Sequence, residues 1–168
     1  IPARDDSDFT WEKFESAYNT ELVNDLGNLV QRVSGMITRY QAGVIGTIPD
    51  GEHDMDAYHD AMEALQFDRA IDEVWLMVRS LNQYIENVKP WEIAKKAKDD
   101  VEAVAHLSET DAYAVGALLQ ISDLLVPFLP DTAAKIRGVF GTGVVVPVEG
   151  VFFPRIYVHT ADPNAPKA

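Results

Sequence analysis

The sequence contains no cysteine among its 168 residues, which excludes disulfide bonds and thiolate metal sites. Basic residues are also scarce: 14 lysines and arginines stand against 27 aspartates and glutamates, so the formal net charge is −13. Because a polyanion such as RNA selects basic surfaces, this balance argues against an extended nucleic-acid-binding face. No apolar run approaches the ~20 residues of a membrane-spanning helix, and we expect no membrane contact.

Motifs for catalysis are missing as well. The four histidines are isolated at positions 53, 59, 106 and 159, and the basic run Lys95–Lys98 contains no serine. No glycine-rich phosphate loop follows a strand pattern, and no spacing brings a serine, a histidine and an aspartate together. We therefore predict that this chain has no catalytic residue and binds no cofactor.

Asp56 and His59 are spaced like half of the metal-binding motif of helical bundles. A complete site also needs glutamates from facing helices, and neither His106 nor His159 has an acidic residue three positions before it. The alternative is an acidic helix N-terminus, which the helix dipole favours. We prefer this alternative and predict no metal site.

Apolar spacing predicts helices through most of the chain, and a 47% hydrophobic content is enough for one domain with a buried core. A helical pattern capped by Thr10 ends near Tyr40, as one kinked helix or two. The clearest helix runs from Phe67 to Val88, with Trp75 on its apolar side. Pro90 ends that helix and suits the first turn of another.

The second half of the chain continues this pattern. We predict that Thr110 caps a helix and that Pro127 and Pro130 end this helix. We predict that Asp131 caps a last helix over residues 132–139. The β-rich segment 144–157, interrupted by prolines, is predicted to lie extended against the helices. We therefore predict an all-α bundle of about five helices with an extended C-terminal tail.

The chain begins without methionine and ends in a stretch rich in proline and alanine. We expect a piece of a longer cytoplasmic protein, with linkers at 1–9 and 158–168 and the helical bundle at 10–157.

The helix that ends near Tyr40 carries the main functional signal. Asn28 and Arg32 lie one turn apart on its surface, and Arg39 lies close to both in projection. An amide and guanidinium groups at this spacing are suited to contacting base edges or phosphates. Gly35 lies beside them, where a missing side chain lets RNA or another backbone approach. Gly27, in contrast, is predicted to serve helix packing.

Trp91 follows Pro90 at the corner between two predicted helices. An indole at such a corner is either half-buried core or an exposed platform on which a base stacks. Its position alone favours the core, because most large aromatic side chains are buried there.

Four segments, in order, resemble the anticodon-binding helical domain of methionyl-tRNA synthetase. They are Asn24-Asp-Leu-Gly-Asn28-Leu-Val-Gln-Arg32, Lys89-Pro90-Trp91, Leu125-Val-Pro-Phe-Leu-Pro-Asp-Thr-Ala and Phe153-Pro-Arg-Ile156. The resemblance implies that Trp91 stacks on the first anticodon base while Asn28 and Arg32 contact base edges. Arg39 and Pro90 are secondary candidates.

The implied partners are the anticodon loop of tRNA(Met) and the catalytic domain of the same polypeptide. A full-length enzyme would use ATP and Mg to charge tRNA(Met) with methionine. This chain lacks the His-x-Gly-His and Lys-Met-Ser-Lys-Ser signatures of such an enzyme, so we expect it to be inactive alone.

Two alternatives remain open. Leucyl, valyl, isoleucyl and cysteinyl synthetases carry related helical domains, although Asn28 and Arg32 together with Lys-Pro-Trp favour the methionyl family. The acidic charge also suits a helical scaffold that binds a basic protein and no RNA.

Overall fold

The computed structural model describes residues 9–49 and 55–158, so most of both predicted linkers, His53 and His159 lie outside the described residues. The all-α prediction is confirmed. Among the described residues, no helix is both long enough and apolar enough to cross a bilayer. The helices are α1 (Trp11–Ala17), a π-helical stretch (Tyr18–Gly27), α2 (Asn28–Tyr40), α3 (Asp56–Glu63), α4 (Phe67–Val88), α5 (Pro90–Lys96), α6 (Val101–Leu125) and α7 (Pro130–Phe140).

The first three of these elements form one continuous helical rod. The hydroxyl of Thr10 accepts a hydrogen bond from the backbone N–H of Lys13 at 3.2 Å, which confirms the predicted cap. The N–H of Asn28 donates to the carbonyl of Val23, five residues earlier, as in a π-helix. The sequence pattern did not distinguish one kinked helix from two. The structure has a single continuous rod, and its middle part is a wider π-helix.

The core lies between α2, α4, α6 and α7. α4 has the predicted bounds, and Trp75 is buried within it, which confirms its assignment to the core. The central side chains are fully buried and come from all four helices: Leu29, Val33, Val78, Ile85, Leu118, Ile121 and Ile136. Packing of these apolar faces fixes the position of α2 relative to α4, and so the position of Arg32.

α6 begins earlier than predicted, and the assignment of Thr110 as its cap is wrong. The carboxylate of Asp100 accepts hydrogen bonds from the N–H groups of Glu102 and Ala103 at 2.9 and 3.3 Å. Because a charged carboxylate accepts two hydrogen bonds at the positive end of the helix, Asp100 is an effective cap. Thr110 is buried inside the helix, where its hydroxyl donates to the carbonyl of His106 at 2.8 Å.

The predicted cap of the last helix is also wrong. Leu129 is the N-cap of α7, and Pro130 is the first helical residue. Proline suits this position because the first N–H groups of a helix have no partner within it. Asp131 instead lies inside the first turn, where the helix dipole favours a carboxylate.

The C-terminal tail, residues 144–158, runs antiparallel to the helical rod. The side chain of Asn19 donates to the carbonyl of Ile156 at 2.8 Å and accepts from its N–H at 3.1 Å. Farther along, Gln31 donates to the carbonyl of Gly150 at 2.9 Å. Phe152 is buried between these anchors. The tail is therefore a packed part of the fold.

Gly27 makes this packing close. A Cβ atom there would lie 3.0 Å from the ring of Phe153 and 2.9 Å from the carbonyl oxygen of Leu22. Because Gly27 has no side chain, the tail can pack closely against the rod. The sequence interpretation had instead assigned Gly27 to packing between helices.

Candidate functional site

α2 and α5 bring Arg32 and Trp91 together. The guanidinium carbon of Arg32 lies 6.0 Å from the centroid of the Trp91 ring, at the limit of a cation–π contact. Trp91 is half-buried and packs partly against the core. The ring is thus supported by the core and still partly open to solvent. Two predicted site residues that are distant in sequence therefore share one surface.

The sharp corner between α4 and α5 fixes the direction of Trp91. Lys89 has a left-handed backbone conformation with φ of 53°, although it is not a glycine. Its N–H still donates to the carbonyl of Ile85 at 3.0 Å, which closes the last turn of α4. Pro90 then starts α5 at once and is buried. Pro90 therefore contributes by directing the backbone into α5, and its buried ring is not available for contact with a ligand.

Asn28 and Arg39 extend the same surface along α2. Asn28 is exposed at the first position of α2, one helical turn before Arg32. Arg39 is exposed too, with its guanidinium carbon 5.7 Å above the Tyr40 ring. Seven residues of helix separate Arg39 from Arg32, roughly 10 Å. Asn28, Arg32 and Arg39 thus form one ridge along α2, but Arg39 does not join the Arg32–Trp91 pair.

Glu86 is a member of the site that sequence reasoning missed. Its Oε1 atom accepts a hydrogen bond from Nη2 of Arg32 at 2.6 Å, and the side chains of Arg32 and Glu86 are 35% and 55% exposed. An ion pair this exposed contributes only about 0–1 kcal/mol to stability. Its main effect is geometric, because it fixes one edge of the guanidinium and leaves the other N–H groups of Arg32 available.

Asn82 supports the start of the ridge from α4. Its amide group donates to the carbonyl of Asp25 at 3.3 Å and to the carbonyl of Val78 at 3.2 Å. The bond to Asp25 ties α4 to the residues just before Asn28. Sequence analysis gave no sign of this contact.

A shallow groove of about 240 Å³ borders the other side of the ridge, between α2 and the tail. A Cβ atom at Gly35 would meet nothing within 4 Å, so this position is open. The groove is lined by Gln31, Ser34, Gly35, Thr38, Arg39, Pro147 and Val148. The interpretation of Gly35 as a place of close approach by RNA stays a prediction.

At the C-terminal end of α2, the side chain of Gln41 contacts a buried carboxyl group. Asp111 in α6 is 1% exposed, and its Oδ2 atom accepts a hydrogen bond from the side chain of Gln41. Its Oδ1 atom has no hydrogen-bond partner. Burial raises the pKa of Asp111 to about 6, against a smaller lowering by the Gln41 hydrogen bond.

The pair Asp56 and His59 is exposed on α3. The ring of His59 packs edge-on against Tyr58, with centroids 5.4 Å apart. Within residues 9–49 and 55–158, no three histidine, aspartate or glutamate side chains are grouped so that they could hold a metal ion.

Comparison with known proteins matches most of the chain to one family. The family model described as the anticodon binding domain of methionyl tRNA ligase matches residues 20–146. A second model, tRNA synthetases class I (M), matches residues 1–34.

Curated relatives carry the same name. The methionine–tRNA ligase of Streptococcus pyogenes serotype M3 (strain SSI-1) is 32% identical over 157 residues, covering 86% of this chain and 23% of that protein. The methionine–tRNA ligase of Streptomyces coelicolor is 35% identical over 144 residues, covering 78% of this chain and 26% of that protein. The chain thus spans about a quarter of the length of these relatives.

A solved structure shows the same fold. The crystal structure of the apo form of Mycobacterium tuberculosis methionyl-tRNA synthetase matches with a TM-score of 0.80 at 23% identity. The match covers 94% of this chain and 37% of that one.

Proposed function

Because the chain belongs to the family of anticodon-binding domains of methionyl-tRNA ligases, we propose that it reads the anticodon loop of tRNA(Met) through Trp91, Arg32 and Asn28. The observation that carries this proposal is the guanidinium of Arg32 held 6.0 Å from the half-buried ring of Trp91. The match to the methionyl model favours this family over the related leucyl, valyl, isoleucyl and cysteinyl domains.

Trp91 serves as the stacking platform. An unstacked base of the anticodon loop covers the open part of the indole, while the core supports the ring from the other side. Stacking of a base on an aromatic side chain contributes about 1–3 kcal/mol. Single-stranded loops offer such splayed bases, which is how proteins read RNA sequence.

Arg32 and Asn28 read the edge of the stacked base. The planar guanidinium presents several N–H donors, and Glu86 holds it in one orientation at 2.6 Å. Asn28 offers both a donor and an acceptor from the preceding helical turn. This arrangement suits hydrogen bonding to base edges, because it places oriented polar groups beside a stacking surface.

A local cluster of lysines partly answers the objection raised by the net charge. Lys89, Lys95, Lys96 and Lys98 are exposed on or beside α5, the helix that carries Trp91. These lysines place cations near the site, but Lys89 is paired with Glu92 at 3.9 Å and Glu86 lies beside Arg32, so the local positive charge is small. A footprint this small neutralises few phosphates, so we expect weak binding with a shallow salt dependence.

We propose that the polypeptide containing this domain charges tRNA(Met) with methionine in the cytoplasm, with ATP and Mg bound by its catalytic domain. The chain described here contributes tRNA reading and no catalytic group, so it is expected to be inactive alone.

Replacement of Trp91 in the full-length ligase tests the proposal. Trp91→Ala should lower kcat/KM for charging by roughly 5- to 150-fold, the equivalent of one lost stacking contact. Methionyl-adenylate formation, measured by ATP–pyrophosphate exchange, should change little. Trp91→Phe keeps an aromatic ring and should restore part of the charging rate. Equal loss of both activities would mean that Trp91 is structural.

Titration with an anticodon stem-loop tests binding directly. Tryptophan fluorescence should quench when the loop binds, and a loop with a changed first anticodon base should bind more weakly. If no quench occurs at low ionic strength, where screening is least, the acidic-scaffold alternative gains support.

A further inference from the structure

A cavity of about 250 Å³ lies between α4 and α6 and shares no residue with the ridge on α2. Its α4 wall is one helical face, because positions 73, 76, 77, 80 and 81 recur at intervals of three and four residues. The opposite wall comes from Tyr113 and Ala117, one turn apart on α6. Met55, the residue before α3, completes the lining. The proposed function leaves this cavity without a role.

The cavity has a buried apolar floor and an open mouth. Leu81 and Ala117 are 3% and 5% exposed, whereas Leu76 is 53% exposed. Because Ala117 carries only a methyl group, it leaves space that a larger side chain on α6 would fill. An apolar cavity of roughly 150 Å³ is enough to hold benzene. By the same proportion, this cavity has room for a compact molecule of about ten non-hydrogen atoms.

The walls of the cavity suit an apolar ligand body. Met55 and Met77 have flexible, polarizable side chains, which adapt to the shape of a bound apolar group. Tyr113 adds an aromatic ring, which packs against the ring of Tyr84 with centroids 4.7 Å apart. An aromatic wall attracts cations through its ring face as well as apolar groups. The walls are therefore compatible with a ligand that combines an apolar body and a positive charge.

Glu73 gives the cavity a preference for positive charge. Among the described residues that line the cavity, it alone is charged, and it is half-buried. No basic side chain in the described part of the chain forms an ion pair with it. Arg69, one turn earlier on α4, donates instead to the side chain of Gln66 at 3.1 Å. A partly desolvated carboxylate without a partner attracts a cation more strongly than one in open water.

We propose that this cavity is a binding site for a compact organic cation, namely a primary amine with an aliphatic or aromatic body. The ammonium group donates to the carboxylate of Glu73, and the apolar body lies between α4 and α6 against Leu81 and Ala117. The site is independent of anticodon reading, since no residue of the cavity belongs to the proposed base-reading surface.

Methyl NMR of the full-length ligase, isotope-labelled at methionine, tests the site with phenethylamine as the probe. Met55 and Met77 line the cavity, whereas Met36 and Met62 do not and serve as internal controls. The signals of Met55 and Met77 should shift and saturate with a Kd on the order of 1 mM, as expected for a ligand this small. The two control signals should stay in place. Absence of a saturable shift at Met55 and Met77, or equal shifts of all four signals, would overturn the proposal.

Two substitutions separate the charge from the space. Glu73→Gln should raise the Kd for phenethylamine at least about fivefold and leave the affinity for neutral phenethyl alcohol unchanged. Asp72→Asn, the same charge change at the adjacent exposed residue, is the control and should alter the Kd less than about twofold. Ala117→Leu fills the cavity and should abolish the shift at Met77 in a ligase that still charges tRNA. Equal effects of Glu73→Gln and Asp72→Asn, or phenethyl alcohol binding as tightly as phenethylamine, would overturn the proposal.

Discussion

Replacing Asp111 with asparagine should make the domain more stable at neutral pH and should flatten its pH dependence. Burial raises the pKa of Asp111 to about 6 from an ordinary value of 3.8. The fold therefore binds the proton of this carboxyl more tightly than the unfolded chain does. The stability that protonated Asp111 provides is complete below pH 3.8 and is lost as pH rises through about 6.

The size of this effect follows from the pKa difference. About two pKa units correspond to about 3 kcal/mol of unfolding free energy between acidic and neutral pH. Asparagine has nearly the same shape, and its carbonyl oxygen can keep the hydrogen bond from Gln41. Its N–H group still needs a partner at the position of the unpaired Oδ1 atom, which adds a cost that does not change with pH.

Urea unfolding followed by circular dichroism at pH 4, 6 and 8 measures the effect. The difference in unfolding free energy, Asp111→Asn minus wild type, should increase by about 2.5 kcal/mol from pH 4 to pH 8, because at pH 4 the carboxyl of the unfolded chain is already partly ionised. Both proteins share all other titratable groups, so the contributions of those groups to the pH dependence cancel in this difference. Asp99→Asn, at an exposed position, is the control and should show no such trend. A pH-independent difference for Asp111→Asn would refute the reasoning.

Three further substitutions test the site and the core. Arg32→Ala should weaken discrimination among anticodon stem-loops, and Arg32→Lys should not restore it, because a lysine cannot present the bidentate fork; restored discrimination would argue against edge reading. Glu86→Gln should tighten stem-loop binding by up to about fivefold at low salt and less at high salt, since it removes a negative charge near RNA. Glu63→Gln, the same charge change on α3, is the control. Equal effects of Glu86→Gln and Glu63→Gln on stem-loop affinity would mean that only net charge matters. Trp75→Ala should lower the unfolding free energy by about 3–5 kcal/mol in a denaturant titration, and a mild loss would mean that the core tolerates the cavity.

Local signals in the sequence predicted the elements that depend on local interactions. The apolar period set the bounds of α4, and Pro90 marked the start of α5 because proline fits a first helical turn. The shared face of Asn28 and Arg32 followed from helical geometry alone. The start of α6 was missed because the cap signal of Asp100 lies in a charged run without apolar periodicity, while Thr110 offered a second plausible cap.

Contacts between distant residues were beyond the reach of these signals. Arg32 and Glu86 are 54 positions apart, and only the packing of α2 on α4 makes them partners. Burial of Asp111 likewise depends on α6 lying beneath the end of α2. The resemblance of short segments to a known family supplied the association of Arg32 with Trp91, since spacing alone favoured a core role for the indole.

The antiparallel course of the tail returns the chain to the level of α1. Val158 contacts Glu15, so the two ends of the described fold lie side by side. Any module fused after the tail would emerge on the side where the polypeptide enters α1, as is common for compact domains. Such an addition would start roughly 25 Å along the rod from Arg32, at a rise of 1.5 Å per residue, so we expect it to leave the surface around Arg32 and Trp91 accessible.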